Sequence, residues 1–149
     1  YLDSPVYTLD QTNTYKAIDE LQLFINKYPN SERILECNKL IGQLRHKLEM
    51  KAFESSKMYY NLGDYKAAVY AFKNLISDFP GIDTREEAEF LIIKSYYLYA
   101  NNSIESKKQE RYKQAIEVYK SFIISYPKSV YLKEAETIYH DALKQSGQV

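Results

Sequence analysis

The chain has 149 residues, which is enough for one ordinary domain and too few for two comfortable ones. Its 20 basic and 20 acidic side chains cancel, and this balance disfavours a nucleic-acid partner, because duplex-binding domains usually carry basic excess. Only 4 glycines and 4 prolines occur, which disfavours an all-β fold with its many turns and favours long helices.

The first segment, residues 1–13, contains a Ser-Pro pair and no helical pattern, so we expect an extended arm. It begins with Tyr1 and without a signal peptide, and we therefore expect a processed or cut piece whose targeting or lipidation signal lies upstream. Residues 14–28 then show helical spacing. Their apolar face lacks a preceding partner helix, which predicts further repeats upstream.

The remaining elements are predicted as helices joined by turns. Residues 32–62 carry apolar side chains at helical spacing without a proline, which predicts one long helix with Ser31 as its N-cap. Gly63 and Asp64 indicate the end of that helix and the start of the next. Residues 100–109 are polar and predict a loop, and residues 133–144 predict a closing helix. Residues 14–144 are thus predicted to form an all-α domain of about six helices, followed by a tail at 145–149.

Three of these helices share one pattern, aligned on Pro29, Pro80 and Pro127. Each has a small alanine, an apolar or aromatic residue four places later, and an aromatic residue directly before the proline. The alanines are Ala17, Ala68 and Ala115. Because a small side chain lets a neighbouring helix approach closely, we expect all three to be buried at helix crossings. The other structural repeat positions are Tyr59, Gly63, Tyr65, Phe72, Tyr112 and Tyr119.

The middle repeat resembles the tetratricopeptide motif, in which small, aromatic and proline residues follow each other in this order. Tyr59, Gly63, Tyr65, Ala68, Phe72 and Pro80 fall on motif positions. The resemblance implies an α-solenoid of antiparallel helix pairs. The prolines are spaced more widely than in a plain repeat, and we assign the excess to the long helix and to the loop at 100–109.

No arrangement of residues in the sequence supports catalysis. His46 and His140 are far apart, and neither a cluster of metal ligands nor a glycine-rich phosphate loop occurs. Cys37 lies on an apolar helical stripe without a histidine or basic residue directly beside it, which predicts a small buried side chain. We therefore predict a non-enzymatic protein without a cofactor, a metal or a small-molecule substrate.

The tyrosines divide into two groups. Those at repeat positions, Tyr59, Tyr65, Tyr112 and Tyr119, are predicted to belong to the core. The others do not all fit one buried stripe, and some are predicted to line a concave groove, where tyrosine provides contact area at low entropy cost. The groove candidates are Tyr60, Tyr96, Tyr97, Tyr99 and Tyr131. The basic cluster Lys107, Lys108, Arg111 and Lys113 is interrupted by glutamates and is typical of a solvated surface.

Longer strings carry a more specific resemblance. They are LDQTNTYKAIDELQLFINKYPNSE, through the first proline, NKLIGQLRHKLEMKAFESSKMYYNLGDYKAAVYAFKNLISDFP, through the long helix, and RYKQAIEVYKSFIISYPKS, after the polar segment. Together they are similar to the BamD family, the tetratricopeptide lipoproteins of the outer-membrane β-barrel assembly machine, in the form of Bacteroidetes. The resemblance implies the C-terminal repeat portion of such a protein, at the periplasmic face of the outer membrane of a Gram-negative bacterium.

The resemblance also implies partners. It implies binding to the periplasmic domains of the BamA barrel protein, with Arg45 and Lys47 on the family's basic positions of the long helix. The groove tyrosines Tyr60, Tyr96 and Tyr97 are further candidates for this contact. The family meets the membrane through an N-terminal lipid anchor and meets unfolded outer-membrane proteins through N-terminal repeats, and both are expected upstream of this segment.

Two alternatives from other classes remain open. Glycan-binding lipoproteins of the SusD type also contain such repeats, but they are much longer and present aromatic platforms on inserted loops, whereas this chain has no tryptophan. A peptide-binding adaptor would clamp a peptide carboxylate with lysine, asparagine and arginine from successive helices. The comparable places here hold Ser55, Ser56, Ile92 and Ile93, which argues against that mode.

Overall fold

The computed structural model describes residues 10–148, and this range is all-α, as predicted. Its six helices are α1 (Thr12–Lys27), α2 (Ile34–Asn61), α3 (Tyr65–Asp78), α4 (Arg85–Asn101), α5 (Glu105–Ser125) and α6 (Leu132–Gln145). They pack sequentially in pairs. The chain divides into two compact units, Tyr1–Glu54 and Ser55–Val149, with the division inside α2. In the second unit, α4 packs on α3, α5 and α6, and α5 also packs on α6.

The predicted arm, residues 1–13, lies mostly outside the described residues, which begin at residue 10. Within the described range, α1 begins at Thr12, two residues earlier than predicted. Gln11 precedes the helix and is buried, and its side-chain oxygen accepts a hydrogen bond from Thr14 Oγ1 at 2.6 Å. The chain is therefore already anchored where the sequence suggested an extended segment.

The three repeat prolines follow helix ends of one geometry. α1, α3 and α5 each end two residues before the proline, and the intervening aromatic residues Tyr28, Phe79 and Tyr126 have φ values of −127°, −130° and −131°. The N–H of each aromatic residue donates to the carbonyl four residues earlier. A residue before proline is excluded from the α region by steric clash with the proline ring, so the helix must stop there. The predicted helix ends are confirmed.

Each of these helix ends leads into the same six-residue connection. The N–H groups of Ser31, Ile82 and Ser129 donate to the carbonyls of the aromatic residues three places earlier, at 3.0, 3.0 and 3.1 Å. The next helices, α2, α4 and α6, then begin three residues further on in all three cases. The repeat thus extends past the prolines into the following helix, beyond the part that sequence alignment revealed.

One position of this extended repeat explains the single cysteine. Cys37, Ala88 and Ala135 all lie three residues after the helix start, and all three are buried. The N–H of each closes the first turn of its helix. Cys37 therefore takes the place of a repeat alanine, which confirms the prediction that it is a small buried side chain.

Helix α2 is continuous through Gly42, as predicted, and it is slightly shorter than the predicted span of 32–62. The prediction that Ser31 is its N-cap is wrong. Ser31 Oγ accepts the N–H of Arg33 at 3.2 Å within the turn, and the helix begins after Arg33, whose carbonyl accepts the N–H of Cys37. The serine stabilises the connection rather than the first helical turn.

The transition from α2 to α3 follows the predicted stop and start. Gly63 has φ +82°, the left-handed conformation that glycine adopts without steric cost at a helix C-terminus. Asp64 is the N-cap of α3, and its side chain accepts the N–H of Ala67 at 3.2 Å.

The predicted loop at 100–109 is wrong for most of its length. Only residues 102–104 separate α4 from α5, and the polar residues from Glu105 onward form the first turns of α5. Glu105 and Lys108 are good helix formers, their side chains pair at 2.9 Å, and an acidic residue in the first turn interacts favourably with the helix dipole. Polarity alone therefore did not distinguish a loop from an exposed helix.

Burial of the repeat positions differs between the units. Ala68, Phe72, Tyr112, Ala115 and Tyr119 are all buried in the second unit. Ala17 in the first unit is only half-buried, which corrects the expectation that all three repeat alanines are buried. Within its own unit α1 lies beside α2, whereas α5 packs against both α4 and α6.

Tyr59 is the second correction to the predicted core. Its side chain is 38% exposed, and Tyr65 is half-buried. The last two turns of α2 direct Ser56 and Tyr60 inward, and Tyr59 lies about 100° around the helix from Tyr60. Its motif position therefore does not make it a core residue here.

The predicted tail, residues 145–149, is partly ordered by packing and hydrogen bonding. α6 includes Gln145, and the next residue, Ser146, is buried. The Ser146 carbonyl accepts a hydrogen bond from Gln109 Nε2 at 2.9 Å, which links the end of α6 to the start of α5.

Candidate partner-binding site

The basic candidates on α2, Arg45 and Lys47, lie on opposite flanks of the helix stripe that faces the core. Leu44 and Leu48 mark this stripe, with 0% and 7% of their surface exposed. Arg45 is exposed and Lys47 is half-buried. Because successive helical residues are about 100° apart, the two cations cannot face one partner equally. Their role in partner binding remains a prediction.

The exposed guanidinium of Arg45 is not paired with a carboxylate of the described residues. Within residues 10–148 no ion pair involves it, whereas the adjacent His46 Nδ1 lies 3.7 Å from Glu49 Oε2. Arginine presents a planar fork of donors that matches a carboxylate in a bidentate geometry. Arg45 can therefore contact a carboxylate of a partner without breaking an ion pair among residues 10–148.

The three candidate tyrosines do not form one groove. Tyr96 lies on the side of α4 that faces α3, whereas Tyr97 lies between α4 and α6. Tyr60 packs edge-on against Tyr65, with ring centroids 5.8 Å apart. Because adjacent residues on a helix are about 100° apart, the side chains of Tyr96 and Tyr97 point to different sides of α4. Tyr60, Tyr96 and Tyr97 therefore do not all face one common surface, and their role in partner binding remains a prediction.

Tyr97 belongs to the packing of the second unit. Its Oη donates to Asp141 Oδ2 at 2.5 Å, and its ring lies 6.0 Å from that of Tyr112. Burial raises the pKa of the Tyr97 phenol, and its hydrogen bond to Asp141 raises it further. A neutral, hydrogen-bonded phenol that joins α4 to α6 contributes to the packing of this unit, and the role of Tyr97 in partner binding remains a prediction.

The second unit contains a cavity of about 350 Å³ between α3, α4 and α5, which we call the basic cavity. Cations and tyrosines make up most of its lining residues. They include Lys66 and Lys73 of α3, Tyr96 and Tyr99 of α4, and Lys107 and Arg111 of α5. Its volume lies within the range of about 300–1,000 Å³ that is typical of ligand clefts.

Two cations of the basic cavity are held in place by tyrosines. Lys73 Nζ donates to Tyr96 Oη at 2.7 Å and lies 5.2 Å from the centre of that ring. The Arg111 guanidinium lies 4.1 Å from the centre of the Tyr99 ring. Arg111 also donates to Ser103 Oγ, which in turn donates to the Tyr99 carbonyl. Cation–π contacts and hydrogen bonds together reduce the freedom of both long side chains.

The sequence analysis predicted only some of the residues that line this cavity. It indicated Tyr96 and Tyr99 as groove tyrosines and Arg111 in a local basic cluster, but it did not connect them with the lysines of α3. Within that cluster, Lys108 pairs with Glu105, and Lys113 does not line the cavity. The available signal for two cationic helix faces was a spacing of four between Lys107 and Arg111 and of seven between Lys66 and Lys73.

Residues 10–148 contain no group of three or more His, Cys, Asp or Glu side chains placed to hold a metal ion. None of the six described helices combines the length and the apolar character that a bilayer crossing requires.

Comparison with known families identifies the class of protein. Residues 3–112 match the model of the YfiO family, described as outer membrane lipoproteins. The match covers well over half of the chain, so the chain belongs to this family, which is the BamD family that the sequence resembled. The matched region ends early in α5 and does not include α6. A search of curated proteins found no match.

Family membership establishes the general role. It implies association with the outer membrane and a role in outer-membrane protein assembly, together with protein partners in the assembly complex. The family is non-enzymatic.

Proposed function

We propose that this chain is a scaffold of the outer-membrane β-barrel assembly machine, which binds the periplasmic domains of the BamA barrel protein. The observation that carries the proposal is Arg45, an exposed guanidinium without an ion pair in the described part of the chain, on α2 of a YfiO-family protein. The scaffold would act at the periplasmic face of the outer membrane.

The chemistry of α2 supports a contact with an acidic partner surface. Arg45 lies beside the buried stripe of Leu44 and Leu48, so the backbone beneath it is held by packing. A bidentate contact to a carboxylate is stronger and more directional than a contact made by a lysine ammonium. Lys47, on the other flank, is the secondary candidate.

The test is co-purification of the full-length protein with BamA from outer membranes. Arg45→Glu replaces attraction by repulsion, and a desolvated interfacial charge pair lost in this way costs about 2–5 kcal/mol, so we expect capture to fall strongly. Lys39→Glu is the matched control, because Lys39 is an exposed cation of the same helix that lies away from the buried stripe. We expect that variant to capture BamA normally.

Circular dichroism of each variant shows whether the helices persist. If helical Arg45→Glu and Lys47→Glu variants both captured as much BamA as the unmodified protein, the contact on α2 would be excluded. If Lys39→Glu reduced capture as much as Arg45→Glu, the loss would reflect net charge rather than a contact at this site.

A further inference from the structure

The basic cavity carries an excess of positive charge, which the carboxylates among its lining residues do not balance. Lys66, Lys73, Lys107 and Arg111 line it, and Glu110 is the only carboxylate among its lining residues. None of these cations takes part in an ion pair within residues 10–148. Other cations of the same unit do, since Lys94 pairs with Glu134 and Lys120 pairs with Glu117.

The cations of the cavity come from two helices that are distant in sequence. Lys66 and Lys73 belong to α3, Lys107 and Arg111 belong to α5, and the tyrosines of α4 lie between them. Like charges brought together around one concave surface repel each other, and the cost is recovered when an anion enters. The arrangement is therefore more favourable with a bound anion than without one.

We propose that the basic cavity binds an extended acidic peptide segment of a protein partner, with the Asp or Glu side chains of the segment at Arg111 and the lysines. The tyrosine rings of the cavity recognise the apolar side chains of the same peptide. Tyr70 at the rim is exposed, and Tyr96 and Tyr99 are half-buried, so flat rings lie beside the cations. They give contact area to the apolar side chains that separate the acidic ones.

The composition of the cavity favours a peptide over other anions. Free phosphate would contact the cations but would give the tyrosine rings no role beyond holding Lys73 and Arg111 in place. A nucleic acid would use both cations and rings, but the chain as a whole carries no basic excess to attract a polyanion. An acidic peptide uses the cations, the rings and the hydroxyl groups at once.

The proposal goes beyond the contact on α2, and its test does not involve BamA. The probe is a short fluorescein-labelled peptide in which aspartate and leucine alternate, and binding to the whole chain is followed by fluorescence anisotropy. We expect Arg111→Gln to weaken binding roughly tenfold, as for loss of a hydrogen bond to a charged group. Lys73→Gln is expected to act in the same direction, and raised salt should weaken binding by the unmodified chain.

Lys113→Gln is the matched control, because it removes the same charge from α5 at an exposed residue that does not line the cavity. It should leave the affinity unchanged, and a peptide with asparagine in place of aspartate should bind much more weakly. Far-UV circular dichroism checks each fold. If Arg111→Gln lost helicity, the exposed residues Lys73 and Lys107 would be tested instead, as Lys73→Gln and Lys107→Gln.

Three results would overturn the proposal. The first is equal binding of the aspartate and asparagine peptides, and the second is an equal effect of Lys113→Gln and the cavity variants. The third is tighter binding of single-stranded oligothymidylate than of the acidic peptide, since that would assign the cavity to nucleic acid.

Discussion

Small side chains decide how closely the helices of this protein can pack. Ala68 and Ala115 of the aligned helices, and Ala88 and Ala135 of the following helices, are almost completely buried. At such positions added methylene groups have no free space, because protein interiors are packed as densely as organic crystals. The alanines are therefore a condition of the architecture rather than passive helix formers.

Replacing Ala68 by leucine tests this requirement. Overpacking of a filled core forces strained rotamers or backbone shifts, so we expect Ala68→Leu to lower the free energy of unfolding by about 1–3 kcal/mol in urea titrations. The matched control is Ala17→Leu, at the equivalent position of α1, where the side chain is only half-buried. Ala17→Leu should lower the free energy of unfolding clearly less than Ala68→Leu does. Equal stability of Ala68→Leu and the unmodified protein would show that our register of α3 is wrong.

At the scale of the element, the aromatic-proline pairs determine where helices stop. Tyr28, Phe79 and Tyr126 have nearly the same backbone conformation and make the same hydrogen bonds, although the residues around them differ. The cause is local, because the proline ring restricts the residue before it whatever the surroundings. Elements that depend on such local restrictions are the ones that the sequence predicts best.

Two glycines provide a paired test at this scale. Gly42 lies within α2 at an exposed place where an added Cβ meets no atom within 4 Å. Gly42→Ala should therefore raise the free energy of unfolding by up to about 1 kcal/mol, the difference in helix propensity. Gly63 has equal space but a φ of +82°.

Gly63→Ala should lower the free energy of unfolding by roughly 1–2 kcal/mol, because only glycine adopts the left-handed conformation without steric cost. Both variants are measured by chemical denaturation under one set of conditions. A loss of stability in Gly42→Ala would mean that α2 is interrupted at that residue. If Gly63→Ala left the free energy of unfolding unchanged, the end of α2 would not require a residue in the left-handed conformation.

For the whole molecule, the two units differ in how completely they bury the same repeat positions. Ala17, Leu21 and Phe24 of α1 are half-buried, whereas their counterparts in α5 are buried. Backbone amides under few buried apolar contacts open more readily than amides in a covered core.

We therefore expect the amides of α1 to exchange with deuterium faster than the amides of α5 in the intact chain. The comparison is made between aligned residues, such as Leu21 and Tyr119, so that local sequence differs as little as possible. The reason is the lower free energy of local opening in a less covered helix. If the amides of α1 were protected from exchange as well as or better than those of α5, half-burial of its repeat positions would not lower the free energy of local opening.

The sequence by itself determined the helical fold, the ends of the aligned helices, the break at Gly63 and the nature of Cys37. These features follow from helical periodicity and from steric limits on one or two residues, both of which are local. The sequence also indicated that the core stripe of α2 passes between Arg45 and Lys47. It was less successful at Ser31 and at residues 100–109, where polar residues suit a turn and an exposed helix equally well.

Only the tertiary structure decided which distant residues meet. Tyr96 and Tyr97 are adjacent in sequence, yet one lines the basic cavity and the other joins α4 to α6. Lys73 and Arg111 lie far apart in sequence, yet they line the same cavity. Periodicity assigns a residue to a face of its own helix, but the helix that covers this face depends on packing across the whole unit. That is why the fold could be predicted and the composition of its concave surface could not.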